Sequence, residues 1–460
     1  MNSPIAQNAR AVLPNGERLK GELTKLLRAT GNAGAAVHIT VADEQLVISA
    51  GTLSIGGPLP LTKQARFGIA CFVRFLVSLV TVKLARQGKI DLDACIGSYL
   101  PELGTTGESK GSTILVRHLL THTGGYRGVD GLRTSWQWPE CVKYLENTPQ
   151  FFTPGKVFSE EHLDHVVLGQ ILLRVTGRRA SDLIQEHVFD PLGICPGSTE
   201  TDGPELRVFG HSFSNETLRL EKNENVDRET ETWAPSLSNM TLTAGDMARL
   251  GTALTRDGTD GFPNDIIELA CNTGIELPRA SCAHQNSNWI PAAFTLCCAK
   301  FPTGLYGFFA SGYGQCCGVV FDVERRISVG LGLNVLFPLL RARILNLVFE
   351  HALDRVDGRF GHRVASEPEP RDFFEFLAPF KPGGLVGRYV GSQRDEVTVA
   401  LQAGRLKVAL GNHAAVTLGA LQKNRLMIDS RAPIPVAFFA EPQTRRPCVM
   451  IGLNVFKKIA

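Results

Sequence analysis

The chain has 460 residues, 43% of them hydrophobic, so it can bury at least one large core, and its length allows two or three domains. The 48 Lys and Arg residues exceed the 45 Asp and Glu residues by only three, and no basic cluster is interleaved with aromatic residues, so nucleic acid is not expected as a partner. The polar N-terminus and the short, interrupted apolar run at residues 76–84 predict neither a secretion signal nor a membrane span.

The cysteine pattern predicts a reduced, cytoplasmic protein. Eleven cysteines are scattered without the spacing of a metal site or of a disulfide framework. The adjacent pairs Cys297-Cys298 and Cys316-Cys317 would make poor chelators and awkward disulfides. No dinucleotide-binding fingerprint is visible in the sequence. We therefore expect no metal and no cofactor, and a small-molecule partner rather than nucleic acid or a membrane.

Hydrophobic periodicity predicts strands at both ends of the first 350 residues with helices between them. The late strands would return to pair with the early ones, which gives an α+β fold, an antiparallel sheet flanked by helices. In chain order, the pattern predicts strands at 35–41 and 45–50, a buried helix at 71–88, a helix at 165–175, a helix opening at 244, and paired strands at 319–321 and 327–333.

The C-terminal region is predicted to be a separate β domain. Residues 355–371 are charged and contain proline, which is typical of a linker. Residues 385–459 alternate apolar and polar side chains with turn breaks at glycines, which indicates a small antiparallel barrel or sandwich. The predicted domains are residues 1–360 and 384–460, joined by a linker at 361–383.

Several motifs carry a family resemblance. Phe67-Gly68-Ile69-Ala70 precedes Cys71-Phe72-Val73-Arg74, residues 118–125 read His-Leu-Leu-Thr-His-Thr-Gly-Gly, and residues 154–158 read Pro-Gly-Lys-Val-Phe. Together they resemble the serine β-lactamase, penicillin-binding protein and esterase superfamily over roughly residues 15–350. The resemblance implies a β-lactamase/transpeptidase-like fold with a helical subdomain. Residues 384–391 also resemble the opening of the lipocalin-like β domain that often follows in such proteins.

The first motif of that superfamily places a serine nucleophile three residues before a lysine on one helical face. In this chain Cys71 and Arg74 stand at those positions. Cysteine keeps the nucleophilic capacity, and its thiolate forms more easily than an alkoxide. Arginine does not deprotonate in proteins, so it would act through its charge rather than as a base. The alternative interpretation of Cys71 is a buried structural cysteine.

The second motif, Tyr-x-Asn, usually follows Pro-Gly-x-x-Phe. By register Glu160 stands in place of the tyrosine and His162 in place of the asparagine. The resemblance therefore predicts two pairs in one cleft, a charge-neutral Arg74–Glu160 pair and a thiol–imidazole Cys71–His162 pair. The alternative is that Glu160 and His162 are solvated loop residues.

The third motif and an aromatic insert suggest residues that contact the substrate. Residues 309–314 match the pattern His-Ser-Gly-Tyr-Gly with Ala310 in the basic position, so Ser311, Gly312 and Tyr313 would line the cleft. The loss of the basic group argues against a substrate carboxylate there. Trp136 and Trp138 lie before the second motif, where they would line the pocket or pack as a lid.

Three functions remain open from the sequence. The first is cysteine-dependent acyl transfer, hydrolysis or cyclisation of an ester, thioester or amide, with a free or carrier-bound biosynthetic intermediate as substrate. The second is a non-covalent lyase, cyclase or isomerase that uses Glu160 and His162 as acid and base. The third is a pseudoenzyme that binds a ligand or partner through the inherited pocket. An ordinary β-lactamase is not expected, because it needs the serine, the lysine and the tyrosine.

Overall fold

The computed structural model provides the strands and helices below. It describes residues 11–29, 33–104, 110–126, 137–148, 150–198, 201–213, 220–222, 240–255, 261–277, 289, 291–312, 314–336, 338–353, 382–391, 396–402, 405–410, 416–417, 436–440, 446–451 and 454–459. The strands are β1 (Ala35–Val41), β2 (Glu44–Ala50), β3 (Phe67–Gly68), β4 (Gly197–Ser198), β5 (His211–Phe213), β6 (Leu220–Lys222), β7 (Met240–Leu242), β8 (Gly274–Glu276), β9 (Ala293–Thr295), β10 (Ala299–Lys300), β11 (Tyr306–Gly312), β12 (Gln315–Asp322), β13 (Ile327–Leu333), β14 (Gly387–Gly391), β15 (Glu396–Gln402), β16 (Arg405–Leu410), β17 (Val416–Thr417), β18 (Val436–Ala440), β19 (Pro447–Ile451) and β20 (Asn454–Lys458).

Four of the described α-helices have 14 or 15 residues, and the others have 10 or fewer. They are α1 (Gly16–Ala29), α2 (Val73–Arg86), α3 (Lys110–Thr113), α4 (Val116–Leu120), α5 (Trp138–Asn147), α6 (His162–Thr176), α7 (Ala180–Ile184), α8 (Asp190–Leu192), α9 (Ala244–Ala253), α10 (Asn264–Asn272), α11 (Pro338–Ala352) and α12 (Pro382–Leu385). No helix among the described residues has both the length and the apolar character needed to cross a membrane.

The chain divides into two compact units. The first comprises Met1–Lys83, Ala180–Thr273 and Cys297–Arg363, and the second comprises Leu84–Arg179, Gly274–Leu296 and Val364–Ala460. Each unit is built from segments distant in sequence, so neither is a continuous half of the chain.

The first unit is built on an antiparallel sheet with the strand order β2-β1-β13-β12-β11-β10. The predicted pairing of the early and late strands is confirmed, with Ile39 opposite Val329. Every residue of β12 and β13 is buried, because helices cover the sheet. Helix α9 lies close to β13, since a Cβ atom at Gly330 would be 2.0 Å from the carbonyl oxygen of Ala244.

The predicted helix at 71–88 is shorter than the apolar pattern suggests. A 3₁₀ turn, Ala70–Phe72, comes first, and α2 then runs from Val73 to Arg86. Gly88 adopts a φ of +71° just beyond its end. The helix is apolar on nearly all sides because it is buried on nearly all sides. The rotation of α2 about its own axis is therefore fixed by the packing of its side chains rather than by one apolar face.

The second unit contains the helical subdomain that the resemblance implied. Helix α6 begins at His162, three residues before the predicted start, and ends at Gly177, whose φ is +70°. Its core-facing residues are buried, among them Leu168 and Ile171. The second motif thus leads directly into the first turn of a buried helix.

The C-terminal strands form a separate seven-stranded sheet with the order β17-β16-β15-β14-β20-β19-β18. Its core contains Tyr389, which is fully buried and donates its hydroxyl to the carbonyl oxygen of Leu385 at 2.7 Å. This confirms the predicted C-terminal β structure. The bounds 1–360, 361–383 and 384–460 stay a prediction, and most of the predicted linker lies outside the described residues.

Candidate active site

The sequence-predicted site residues are distributed over both units. Cys71, Arg74, Ser311 and Gly312 belong to the first unit, whereas Glu160, His162 and Trp138 belong to the second. Trp136 and Tyr313 lie outside the described residues. Each unit therefore carries its own part of the predicted site.

Cys71 sits in a strained turn at the start of a buried helix. It is partly exposed, whereas its neighbours Ala70 and Phe72 are buried. Ala70 adopts a φ of +40°, a region that residues with a Cβ atom rarely occupy. Such strain is kept where the surroundings enforce it, and it is common at reactive positions. The turn thus keeps Cys71 partly exposed between two buried residues.

The end of strand β11 lies against this turn. A Cβ atom at Gly312 would be only 2.7 Å from the Cβ atom of Ala70, so a larger residue at 312 would push the strand and the turn apart. The turn is also tied to the sheet, because the Gly68 amide donates to Gln315 Oε1 at 3.1 Å. The end of β11 therefore approaches the turn before Cys71 closely, and Gly312 is the residue that permits this approach.

Arg74 is almost completely buried, at 2% exposure. It follows Cys71 by three residues, and that spacing places two residues on one face of a helix. Its helix is held by an aromatic cluster in which Phe308 of β11 packs against Phe72 and Phe75, with ring centroids 6.0 and 5.8 Å away. Burial of a guanidinium is costly without compensating partners, so the surroundings of Arg74 must be polar enough to hold its charge.

A second thiol lies beneath the turn. The Cys317 Sγ is 3.7 Å from the carbonyl oxygen of Gly68 and 4.0 Å from that of Ile69. Burial raises the pKa of the Cys317 thiol well above its usual value, and negative charge on Cys316 and Cys71 adds to this effect. Cys317 is therefore a buried and neutral thiol at physiological pH. Of the two cysteines, only Cys71 is partly exposed.

The second motif is well anchored in its own unit. Glu160 and His162 are each half-buried, and His162 is the first residue of α6. Between them, Glu161 is buried and its Oε1 accepts a hydrogen bond from the Ser159 hydroxyl at 3.2 Å. Glu160 thus lies in the irregular segment directly before α6 and His162 in the first turn of α6, with the buried Glu161 between them.

Sequence reasoning underestimated one cluster near this motif. His122 forms a buried pair with Asp164, and the His122 Nδ1 lies 3.1 Å from the Asp164 Oδ2. The signal available in the sequence was the acidic residue two positions after His162 in a helix that is otherwise apolar. His118, the other histidine of that segment, accepts a hydrogen bond on Nδ1 from the Leu115 amide at 3.1 Å.

The predicted substrate-contacting residues have different surroundings. Ser311 is exposed, and the neighbouring Ala310 is 2% exposed. Trp138 is half-buried and donates its indole N–H to Glu102 Oε1 at 2.8 Å, and Arg174 donates to the same oxygen at 2.9 Å. Trp138 thus anchors the start of α5, and its role in a substrate pocket stays a prediction. Among the described residues, no group of three or more His, Cys, Asp or Glu side chains could hold a metal ion.

Comparison with known proteins gives the family. The family model described as Beta-lactamase matches residues 20–338. Penicillin-binding protein 4 of Amycolatopsis lactamdurans is 24% identical over 35% of this chain and 43% of its own length. Esterase EstB of Burkholderia gladioli is 26% identical over 35% of this chain and 45% of its own length. The chain thus spans less than half the length of these curated relatives.

Solved structures match over a larger part of the chain. The crystal structure of SurE has a TM-score of 0.70 at 20% identity and covers 96% of this chain and 98% of its own. The D-amino acid amidase from Ochrobactrum anthropi has a TM-score of 0.62 at 18% identity and covers 74% of this chain and 99% of its own. At these identities the likeness concerns the fold. Because the family model covers more than two thirds of the sequence, the chain belongs to the β-lactamase family, a family of hydrolytic and acyl-transfer enzymes.

Proposed function

We propose that the protein is an acyl-transfer enzyme of the β-lactamase fold in which Cys71 replaces the family serine. The observation that carries the proposal is the strained turn at Ala70, which holds Cys71 partly exposed while the residues on both sides are buried. A structural cysteine would need neither the strain nor the exposure. The close approach of Gly312 to the same turn supports the proposal, because an amide at this strand end would be the second donor of an oxyanion hole.

The proposed chemistry has two stages. The Cys71 sulfur attacks the acyl carbon of an ester, thioester or amide, and His162 accepts the thiol proton. The resulting oxyanion is stabilised by the Cys71 amide and by an amide at the end of β11. His162 then returns the proton to the leaving group as the carbon–heteroatom bond breaks. Water or an internal nucleophile subsequently takes the acyl group from Cys71.

The charged residues have supporting roles in this proposal. Arg74 would favour the thiolate through its fixed positive charge, and Glu160 would balance that charge once substrate has entered. A lysine base is needed less here than in serine enzymes, because a thiol requires less activation than a hydroxyl. The absence of a basic side chain at Ala310 favours a substrate with no carboxylate at that point.

The test incubates the protein with candidate acyl donors and measures its intact mass by mass spectrometry to detect an acyl-enzyme. Two structures of similar fold are those of SurE with D-Leu and of the D-amino acid amidase complexed with D-phenylalanine. Thioesters and esters of D-amino acids are therefore suitable probes beside simple activated esters. The expected result is one acyl adduct on Cys71. Cys71→Ala should lose on the order of 10³-fold or more in acylation rate, and Cys71→Ser should be nearly as slow, since neither Arg74 nor His162 is suited to activate a hydroxyl.

Matched variants separate this mechanism from its competitors. Cys195→Ala removes an exposed cysteine and should leave acylation unchanged. His162→Ala should slow acylation by about 10²- to 10³-fold with little effect on substrate binding. If Cys71→Ala keeps full turnover, the cysteine mechanism is wrong.

A non-covalent acid–base function is the second candidate. It is supported by the half-buried Glu160 and His162, of which Glu160 lies two residues before α6 and His162 is its first residue. A lyase, cyclase or isomerase would lose turnover in the Glu160→Gln and His162→Ala variants and keep it in Cys71→Ala. A pseudoenzyme would bind ligand equally in all of these variants.

A further inference from the structure

A buried ionisable pair lies behind the second motif and takes no part in the proposed chemistry. His122 Nδ1 is 3.1 Å from Asp164 Oδ2, and each side chain is 1% exposed. Aromatic rings enclose the pair, since Phe158 and Phe294 contact the His122 ring edge to face at centroid distances of 5.8 and 5.2 Å. A carboxylate and an imidazole buried this deeply are retained only if they are well paired.

The two partners are connected to the two flanks of the second motif. Asp164 lies in the first turn of α6, two residues after His162. The carbonyl oxygen of His122 accepts a hydrogen bond from the Ser159 amide at 2.8 Å, directly before Glu160. The side chain of His122 therefore binds the helix that follows the motif, and its backbone binds the loop that precedes it.

The segment around His122 adopts a demanding conformation to make these contacts. His122 has a φ of +52°, and the described non-glycine residues that share positive φ also include Ala42 and Arg326 in hairpin turns and Ala70 next to Cys71. A Cβ atom at Gly124 would lie 2.6 Å from Asp164 Oδ1, so this close approach requires glycine. Strain of this kind is retained where the surrounding contacts fix it.

The loop before the motif is held at further points by the same segment. The Gly155 amide donates to the carbonyl oxygen of Thr123 at 2.8 Å, and the Phe151 and Phe152 amides donate to that of Gly125 at 2.9 and 3.1 Å. All three bonds are accepted by carbonyl oxygens of the short segment that follows His122. Residues 122–125 thus form a brace, and the His122–Asp164 pair links this brace to α6.

We infer that His122 and Asp164 are positioning residues that set the distance and orientation of Glu160 and His162. The inference rests on the proposed function, because it gives those two side chains the reacting roles. Neither member of the pair needs to touch substrate. A displacement of about 1 Å at a reacting group can lower a rate on the order of 10²-fold, so loss of the pair should act on turnover rather than on binding.

The variants are Asp164→Asn, His122→Ala and His122→Asn, assayed for acylation with the activated-ester probe. Asp164→Asn and His122→Ala should lower kcat by about 10- to 100-fold with KM nearly unchanged. His122→Asn should retain most of the activity, because asparagine tolerates positive φ and its amide can donate to Asp164 as Nδ1 does. Asp182→Asn, which alters a carboxylate of α7 in the other unit, is the matched control and should be unchanged.

Two further measurements decide between a positioning role and a merely structural one. The loss of rate in the double variant His162→Ala/Asp164→Asn should be well below the product of the two single losses, since the pair then has only Glu160 left to position. Amide hydrogen exchange should rise at Gly155 and Ser159 in Asp164→Asn without a rise in the C-terminal sheet. If the two losses multiply, or if exchange at Gly155 and Ser159 is unchanged, the inference is wrong.

These variants keep the positioning role distinct from the proposed mechanism. If Cys71→Ala and His162→Ala retain activity, the proposed function fails, and the exchange measurement alone still tests whether the pair holds the loop. If those variants are inactive but Asp164→Asn and His122→Ala keep the full kcat, the mechanism stands and the positioning role is excluded. Should Asp164→Asn fail to fold, the comparison of His122→Ala with His122→Asn supplies the same test.

Discussion

At the scale of single residues, His118 illustrates how burial sets a charge state. Burial, together with the positive charges of Arg117 and Lys156, lowers the pKa of the His118 imidazole to about 4, against a small opposing effect of Asp93. The neutral ring is also the form that accepts the hydrogen bond from the Leu115 amide. His118 is therefore uncharged throughout the physiological range.

This charge state predicts a pH dependence of stability. In the unfolded chain the imidazole binds a proton near its ordinary pKa of 6.5, whereas in the folded protein its pKa is about 4. The contribution of His118 to the free energy of unfolding is therefore lost as the pH falls from 6.5 to 4, and it changes no further below that. Because His118 is only partly buried, screening reduces the loss to about 1 kcal/mol. His118→Asn keeps an acceptor for the Leu115 amide but does not titrate, so its urea-unfolding free energy should fall less over this range. Parallel pH curves for the two proteins would contradict the prediction.

At the scale of secondary structure, the close contact between β13 and α9 depends on a glycine, Gly330, which has no side chain. Gly330 faces the backbone of Ala244 and Ala248, and Ser328 donates its hydroxyl to the carbonyl oxygen of Ala248 at 2.7 Å. The helix also begins with a capping box, in which the Asp246 amide donates to the Thr243 hydroxyl at 3.1 Å. The N-terminus of α9 is thus fixed by its own sequence, and its distance from the sheet is fixed by Gly330.

A pair of glycine substitutions tests this contact. Gly330→Ala should destabilise the protein by about 2–3 kcal/mol, since a Cβ atom would lie 2.0 Å from a helix carbonyl oxygen and backbone cannot easily yield. Gly21→Ala is the control, because nothing lies within 4 Å of a Cβ atom at Gly21 and alanine is the better helix former. It should stabilise by up to about 1 kcal/mol. Equal unfolding midpoints for the two variants would exclude the packing argument.

At the scale of the whole molecule, the C-terminal sheet shares no strand with the sheet of the first unit in the described chain. It does make contacts within the second unit, where Lys457 of β20 approaches the carbonyl oxygen of Phe151 at 3.5 Å. The segment that contains Phe151 precedes the second motif. The C-terminal sheet therefore has a local connection to the part of the chain that carries Glu160 and His162.

The domain prediction leads to a proteolysis experiment. Limited trypsin digestion should cut between Arg355 and Pro382 and release two folded pieces, because folded strands and helices resist cleavage that a linker permits. Mass spectrometry identifies the cut sites, and circular dichroism of the separated pieces tests whether each remains folded. Cleavage distributed over the β strands, or a C-terminal piece without β signal, would overturn the domain bounds.

Periodicity and motif register were enough to predict much of this protein. Short runs rich in apolar residues on either side of a turn placed β1 and β2, the longer apolar run placed α2, and glycines just beyond their ends placed the ends of α2 and α6. The flanking register also singled out Cys71, Arg74, Glu160 and His162 as candidate site residues, and their catalytic roles stay a prediction. These features are local, since each depends on residues within one or two helical turns or one strand, and so a single sequence determines them.

Tertiary structure alone decided the rest. The pairing of His122 with Asp164 joins residues 42 positions apart, and the positive φ of His122 and of Ala70 arises from packing that no short window contains. The sequence likewise cannot distinguish the partly exposed Cys71 from the buried Cys317, because exposure depends on the strand that returns beneath the turn. Burial, strain and charge state are properties of what surrounds a residue, and those surroundings come from distant parts of the chain.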